Sequence, residues 1–369
     1  MAPRARTLDA EPLPESDRVG ELPHPRDQFE LFGHENEAAA LAEAARSGRL
    51  AHAWIFGGPK GVGKATLAWR FTRALLVHGP QNVPDDLSVP RDHVVARRIS
   101  SLAHSDVMLI RRPWDQERKR PRTELPIEEV RRLNGLFSRH ASEDGYRVAI
   151  IDAADDMSRA AENALLKTLE EPPKRALLLL IAHVPGVLLP TTRSRCRSLT
   201  LRPLAPATMS KAVATLSPGV DSDTSSVLAG LAEGCPGRAL ELVELGGLDL
   251  YHHITGTLAS LPRVHGDALF ALADKVARGT GDRGLTLFVR LTSGILQRLV
   301  RGTYGSPAQV PGEAQLLARL RSLVPLEGWV GVWENLQQKA IDADALNLDK
   351  KQLVLNAFFE MEALTQHHA

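Results

Sequence analysis

Apolar and polar positions follow two different rhythms along this chain, and the change of rhythm divides it. From Phe29 to about Pro203, short apolar runs alternate with helical patterns, which predicts a parallel α/β unit. Ala53-Trp54-Ile55-Phe56 reads as a buried strand. Behind it, Leu67, Ala68, Phe71, Ala74 and Leu75 recur at helical spacing until Gly79-Pro80 stops the helix. Val148–Ile151 and Ala176–Ala182 read as two further buried strands. Between them, Ser158–Glu171 reads as a helix with a serine cap and a Pro172-Pro173 stop. After Pro203 the strand signals vanish. Residues 204–250 suit a small helical module, and 251–369 hold longer amphipathic helices such as Leu285–Val300, Trp329–Ile341 and Lys351–Leu364. Residues 1–25, a mixture of Arg, Asp, Glu and Pro, read as a disordered leader. The expected order is therefore leader (1–25), α/β domain (26–203), helical module (204–250) and all-α domain (251–369).

Composition narrows the function classes. Lys+Arg 45 against Asp+Glu 44 gives a formal charge of +1, so no global field draws the chain onto nucleic acid, and any such contact must be local or made by partners. Two cysteines, Cys196 and Cys235, cannot form a disulfide framework or a four-cysteine zinc site, and point to a reducing cytoplasm. No apolar run reaches membrane-spanning length; the best, Leu177–Leu189, is broken by His183, Pro185 and Gly186. The stretch Arg111–Arg122 carries six basic and two acidic residues. It reads either as a solvated loop or as a phosphate-backbone contact.

The candidate chemistry starts at Gly58-Pro59-Lys60-Gly61-Val62-Gly63-Lys64, which follows a strand and opens a helix, as a phosphate-binding loop requires. Its glycines, Gly58, Gly61 and Gly63, let backbone N–H groups face phosphate oxygens, while Lys64 reaches the terminal phosphates. The motif calls next for Ser or Thr, whose hydroxyl ligates magnesium, but Ala65 stands there. Thr66 cannot substitute, because one step along a helix turns the side chain by about 100°. Ile150-Ile151-Asp152 ends its strand with the acid expected to hold a metal through water. The following position, where a water-activating glutamate belongs, is Ala153. Losing a positioned general base costs roughly 10²–10⁴-fold in rate. Asp155 and Asp156 are displaced along the chain and are not assigned that role. Hydrolysis by this chain is not expected; ATP binding stays open.

These motifs, with their neighbours, resemble the AAA+ clamp-loader family of bacterial replication, most closely its delta-prime branch in DNA polymerase III. The residues that carry the resemblance are Phe32-Gly33-His34-Glu35, His52-Ala53-Trp54, Gly58–Lys64, Ile150–Asp152, Glu162–Pro173, Ser194-Arg195-Cys196 and Gly234–Leu240. They span about Phe29 to Val243; the helical remainder is matched by architecture alone. The resemblance implies an α/β P-loop NTPase (AAA+) domain with a parallel sheet, then a helical lid and an all-α collar.

It implies that Arg195 is an arginine finger, reaching into the ATP site of a neighbouring subunit, where such a group is worth roughly 10³–10⁵ in rate. Arg193 and Arg197 flank it but lie outside the motif. Arg238 matches a nucleotide-sensing arginine of the lid, and reads equally as a helix N-terminal surface residue. Many relatives carry a four-cysteine zinc module after the P-loop helix; no cysteine lies between Gly79 and Gly145, so no zinc is expected. The implied partners are the gamma/tau motor subunit, the delta subunit, and, through the complex, the sliding clamp and primed DNA. The implied location is the cytoplasm, at the replisome. Two alternatives remain: an active motor ATPase of the gamma/tau kind, and an unrelated P-loop enzyme such as a small-molecule kinase.

Overall fold

In a computed structural model, the three apolar runs at 53–56, 148–151 and 176–182 lie side by side as the centre of one parallel sheet. The structure describes residues 15–18, 20, 22–138, 145–278, 282–302, 310, 312–346 and 349–368. The chain divides into two compact units, one ending at Arg202 and the other beginning at Pro203.

In the first unit, β1 (Ala53–Gly57), β2 (Val107–Arg111), β5 (Arg147–Asp152), β6 (Ala176–Ala182) and β7 (Arg197–Thr200) form a sheet in the order β2-β5-β6-β1-β7, with every pairing parallel. Every residue of β1 and β6 is buried, because helices cover both faces. The layers are built from α1 (Glu35–Arg46), α2 (Lys64–His78), α3 (Val94–Ser100), α4 (Ile127–Phe137), α5 (Arg159–Glu170) and the single turn α6 (Pro190–Arg193). One face packs Val130, Leu133, Leu136, Leu165 and Leu169 of α4 and α5 onto Ile110, Ile151 and Leu180. Ser158 caps α5 as expected, its hydroxyl accepting from Ala161 N at 3.2 Å.

The basic stretch 111–122 is a small hairpin, β3 (Trp114–Asp115) against β4 (Arg120–Pro121). Asp115 Oδ1 accepts from the N–H groups of Glu117 and Arg118 to close its turn. Two of its arginines are neutralised within the unit, Arg111 by Glu15 and Asp17, and Arg112 by Asp156.

The expected disordered leader needs correction over its described part. Glu15, Asp17 and His24 form an ion-pair network with Arg26 and Arg111. Arg73 of α2 holds the Arg26 and Gln28 carbonyls at 2.6 and 2.7 Å and stacks on Phe29. Residues 1–14 lie outside the described residues.

The second unit contains only helices among its described residues. A three-helix cluster, α7 (Pro206–Leu216), α8 (Ser222–Leu231) and α9 (Pro236–Glu244), precedes six more: α10 (Gly247–Ala259), α11 (Gly266–Arg278), α12 (Asp282–Arg301), α13 (Glu313–Leu323), α14 (Leu326–Leu346) and α15 (Lys350–His368). The division expected near residue 250 falls inside α10. That helix starts at Gly246, whose φ of +63° ends the preceding chain direction. Phe288 of α12 meets Phe358 of α15 with centroids 6.3 Å apart, and Trp329 is fully buried with its indole N–H on Leu320 O. Among the described residues, no helix is long and apolar enough to cross a membrane.

Candidate nucleotide site and arginine finger

The phosphate loop runs from the end of β1 to the start of α2. Gly58 sits at φ +140°, where a Cβ would come within 2.4 Å of Leu201 O, so only glycine fits. Gly61 and Gly63 also have positive φ, +83° and +113°, and Gly63 caps α2. His34 of the Phe-Gly-His-Glu motif supports the loop from behind, with Nε2 3.0 Å from Val62 O. A carbonyl only accepts, so Nε2 carries the proton there. Lys64 is 3% exposed and folds back on its own loop, donating to Gly58 O at 2.6 Å and Pro59 O at 2.9 Å.

Asp152 ends β5 on the same edge of the sheet. Burial raises its carboxyl to about 7, with Asp17, Asp156 and Asp155 adding to the rise and Lys64 opposing it. Ala153 is buried and brings no oxygen to the site. The two carboxylates further along make contacts of their own, although Asp155 Oδ1 is buried without a hydrogen-bond partner. Asp155 Oδ2 accepts from the N–H groups of His183 and Val184, both at 2.9 Å, closing the turn after β6. Asp156 pairs with Arg112 at 3.0 Å.

Sequence reasoning missed two residues here. His183, at the end of fully buried β6, is held neutral: burial first, then Lys64, lower it to about 4. A histidine closing an apolar strand was the available signal. Asp17, whose side chain is 1% exposed, carried none, because its partners His24 and Arg111 lie in other segments.

Arg195 sits between α6 and β7. Glu162 of α5 fixes the approach, its Oε1 accepting from Leu189 N at 2.6 Å. Arg195 Nη1 donates to Thr191 O at 3.0 Å and Nη2 pairs with Glu170 Oε1 at 2.9 Å, leaving the side chain 36% exposed. Of its flanking arginines, Arg197 stacks on Trp54 with its Cζ 4.9 Å from the ring centroid, and Arg193 is exposed. Cys196 is an inert packing thiol, pushed up to about 12 by burial and by Glu162.

The register settles which residues share a site. Arg197 is aligned with Trp54, at the start of β1, whereas the phosphate loop follows the end of β1 at Gly57. Three residue steps, Trp54 to Gly57, separate those levels, about 10 Å at 3.3 Å per residue. The sheet thus brings Lys64 and Asp152 to one edge and sets Arg195 beyond the other. Arg238, at the start of α9, belongs to the second unit, where Nη1 pairs with Glu233 Oε2 at 2.7 Å.

Residues 33–205 match the protein family described as DNA polymerase III, delta subunit. The delta' subunit of Pseudomonas aeruginosa DNA polymerase III is 34% identical over 40% of this chain and 42% of its own length. The delta' subunit of Bacillus subtilis is 29% identical over 62% of this chain and 64% of its own length. The gamma/tau subunit of Mycobacterium tuberculosis H37Rv is 30% identical over 49% of this chain and 29% of its own length. The chain thus spans less than two thirds of each of these relatives. In sequence it resembles the delta-prime subunits of DNA polymerase III, and its α/β unit has a P-loop NTPase fold, a parallel sheet with the phosphate loop after β1.

Proposed function

We propose that this chain is a delta-prime-like clamp-loader subunit that does not hydrolyse ATP itself and donates Arg195 to a neighbour's ATP site. The observation that carries the reading is the placement of Arg195 beyond the opposite edge of the sheet from Gly58–Lys64. An arginine there cannot serve its own phosphate loop, yet it is exposed enough to serve another chain's. Ala65 and Ala153 support the other half: the loop keeps its backbone cradle and Lys64, but lacks the magnesium hydroxyl and the base that activates water. ATP would rest on Gly58, Gly61, Gly63 and Lys64 with Asp152 beside it, and Arg238 is the nucleotide-sensing arginine of this reading.

The partners of this reading are the gamma/tau motor, the delta subunit, and through them the sliding clamp and primed DNA, in the cytoplasm. The helices from α10 onward would form its share of a collar. The test is Arg195→Ala assembled with wild-type partners: clamp-stimulated ATP hydrolysis by the complex falls while assembly is intact. Unchanged hydrolysis in an assembled mutant complex sinks the finger. The gamma/tau relative keeps a motor reading in play, and phosphate release by the isolated chain discriminates it. Turnover on primed DNA that Lys64→Ala abolishes would favour the motor.

A further inference from the structure

The segment around Asp17 lies against the C-terminal edge of the sheet, the edge from which Gly58–Lys64 also springs. Arg111, the last residue of β2, is the register partner of Asp152 on β5, so both mark the C-terminal edge of the sheet. In open parallel sheets ligands bind outside this edge. Asp17 takes Arg111 Nη1 at 2.6 Å and His24 Nε2 at 2.8 Å, and Glu15 takes Arg111 Nη2 at 2.7 Å. Ser16 Oγ donates to Arg112 O at 2.8 Å, and His24 meets Trp69 of α2 edge-on. The Asp17 carboxylate is close enough to Asp152 to favour its protonated form, second only to burial. Arg111, a cation at this edge, is therefore already neutralised by the chain's own acids. Any phosphate arriving there meets two carboxylates.

We propose that Glu15–Asp17 is a removable acidic strap, holding this edge against nucleoside triphosphates until it is displaced. The inference rests on reading Gly58–Lys64 as a phosphate loop, and is independent of what Arg195 does in a neighbour. Its attachment suits such a role, since ion pairs and one hydroxyl hold the Glu15–Asp17 stretch, while the apolar anchoring begins at His24. A site competent only in the strap-free fraction binds more weakly by that fraction.

The experiment measures equilibrium binding of a fluorescent ATP analogue with magnesium to the full chain, to Glu15→Gln/Asp17→Asn, and to a deletion of residues 1–21. The folded state of each is checked by circular dichroism. Both variants should bind about tenfold more tightly than the parent, as expected if the strap-free fraction is near one in ten. Adding Lys64→Ala should abolish the gain. Binding no tighter in folded variants overturns the strap, as does a gain that survives Lys64→Ala. Loss of the fold in both variants overturns it too, because the segment would then be structural. None of these outcomes bears on hydrolysis in the assembled complex, where the finger is tested.

Discussion

The two edges of one parallel sheet have been treated differently in this protein. At the phosphate-loop edge, polar groups are turned inward: Lys64 bonds its own loop and Asp155 ties down the turn after β6. At the other edge, Arg195 stands partly exposed, held by a backbone carbonyl and one exposed carboxylate. An inward-satisfied site holds a fold, whereas a weakly held cation can change partners. In the proposed function this difference has a meaning: the nucleotide-binding architecture persists for its shape while the reactive chemistry moves to its far side.

The contrast is broken most directly at Arg195. Its replacement by Ala should lower hydrolysis at the neighbour's site by roughly 10³-fold or more, with the melting temperature of the isolated chain nearly unchanged. Arg195→Lys should restore little, since a point charge lacks the planar fork. A melting temperature that drops sharply in Arg195→Ala would place Arg195 with the structural edge instead.

Gly58→Ala should show the reverse. Its Cβ would press on Leu201 O at 2.4 Å, in a conformation that L side chains rarely adopt. The expected loss is about 2–4 kcal/mol of stability, read by denaturant unfolding. A neutral effect there would mean that the loop has slack, and that its closure around Lys64 is no guide to how it is held.

Legibility in the sequence followed the same physics. The central strands β1, β5 and β6 were readable because burial on both faces makes continuous apolar runs. The edge strands were not: β7, Arg-Ser-Leu-Thr, has no buried residue, and β2 is mostly half-buried. The phosphate loop was readable because its chemistry is local. Arg195 was singled out through its motif, but its distance from Lys64 needed the register of β1 and β7. The Asp17 network was invisible, since a polar segment reads as disordered until Arg111, 94 residues away, supplies its partner.

The inward edge also makes a prediction about pH. Asp152 is raised from 3.8 to about 7, so between those values the folded chain binds a proton that the unfolded chain has released. Its contribution is therefore fully present below about pH 4 and is lost as pH rises toward 7. His183, lowered to about 4, acts in the opposite sense, its contribution being lost as pH falls from 6.5. Asp152→Asn should thus stabilise the chain at pH 7.5, by about 1–3 kcal/mol since the carboxyl is partly open to water. The gain should vanish near pH 4, as thermal melts at the two pH values would report. A gain that is the same at both would assign it to packing instead of ionisation.

The smallest effect is expected at Glu170, and it tests whether the outward edge is as loosely held as the contrast requires. The Glu170–Arg195 pair is exposed on both sides, 52% and 36%, and exposed pairs contribute about 0–1 kcal/mol. Glu170→Gln should leave stability nearly unchanged. It should also free the guanidinium from a partner that it must abandon before meeting a phosphate. Hydrolysis by the assembled complex should then hold steady or rise by less than about fivefold, the factor that 1 kcal/mol allows. A fall approaching that of Arg195→Ala would show that Glu170 orients the arginine for transfer, and the outward edge would then be as deliberately built as the inward one.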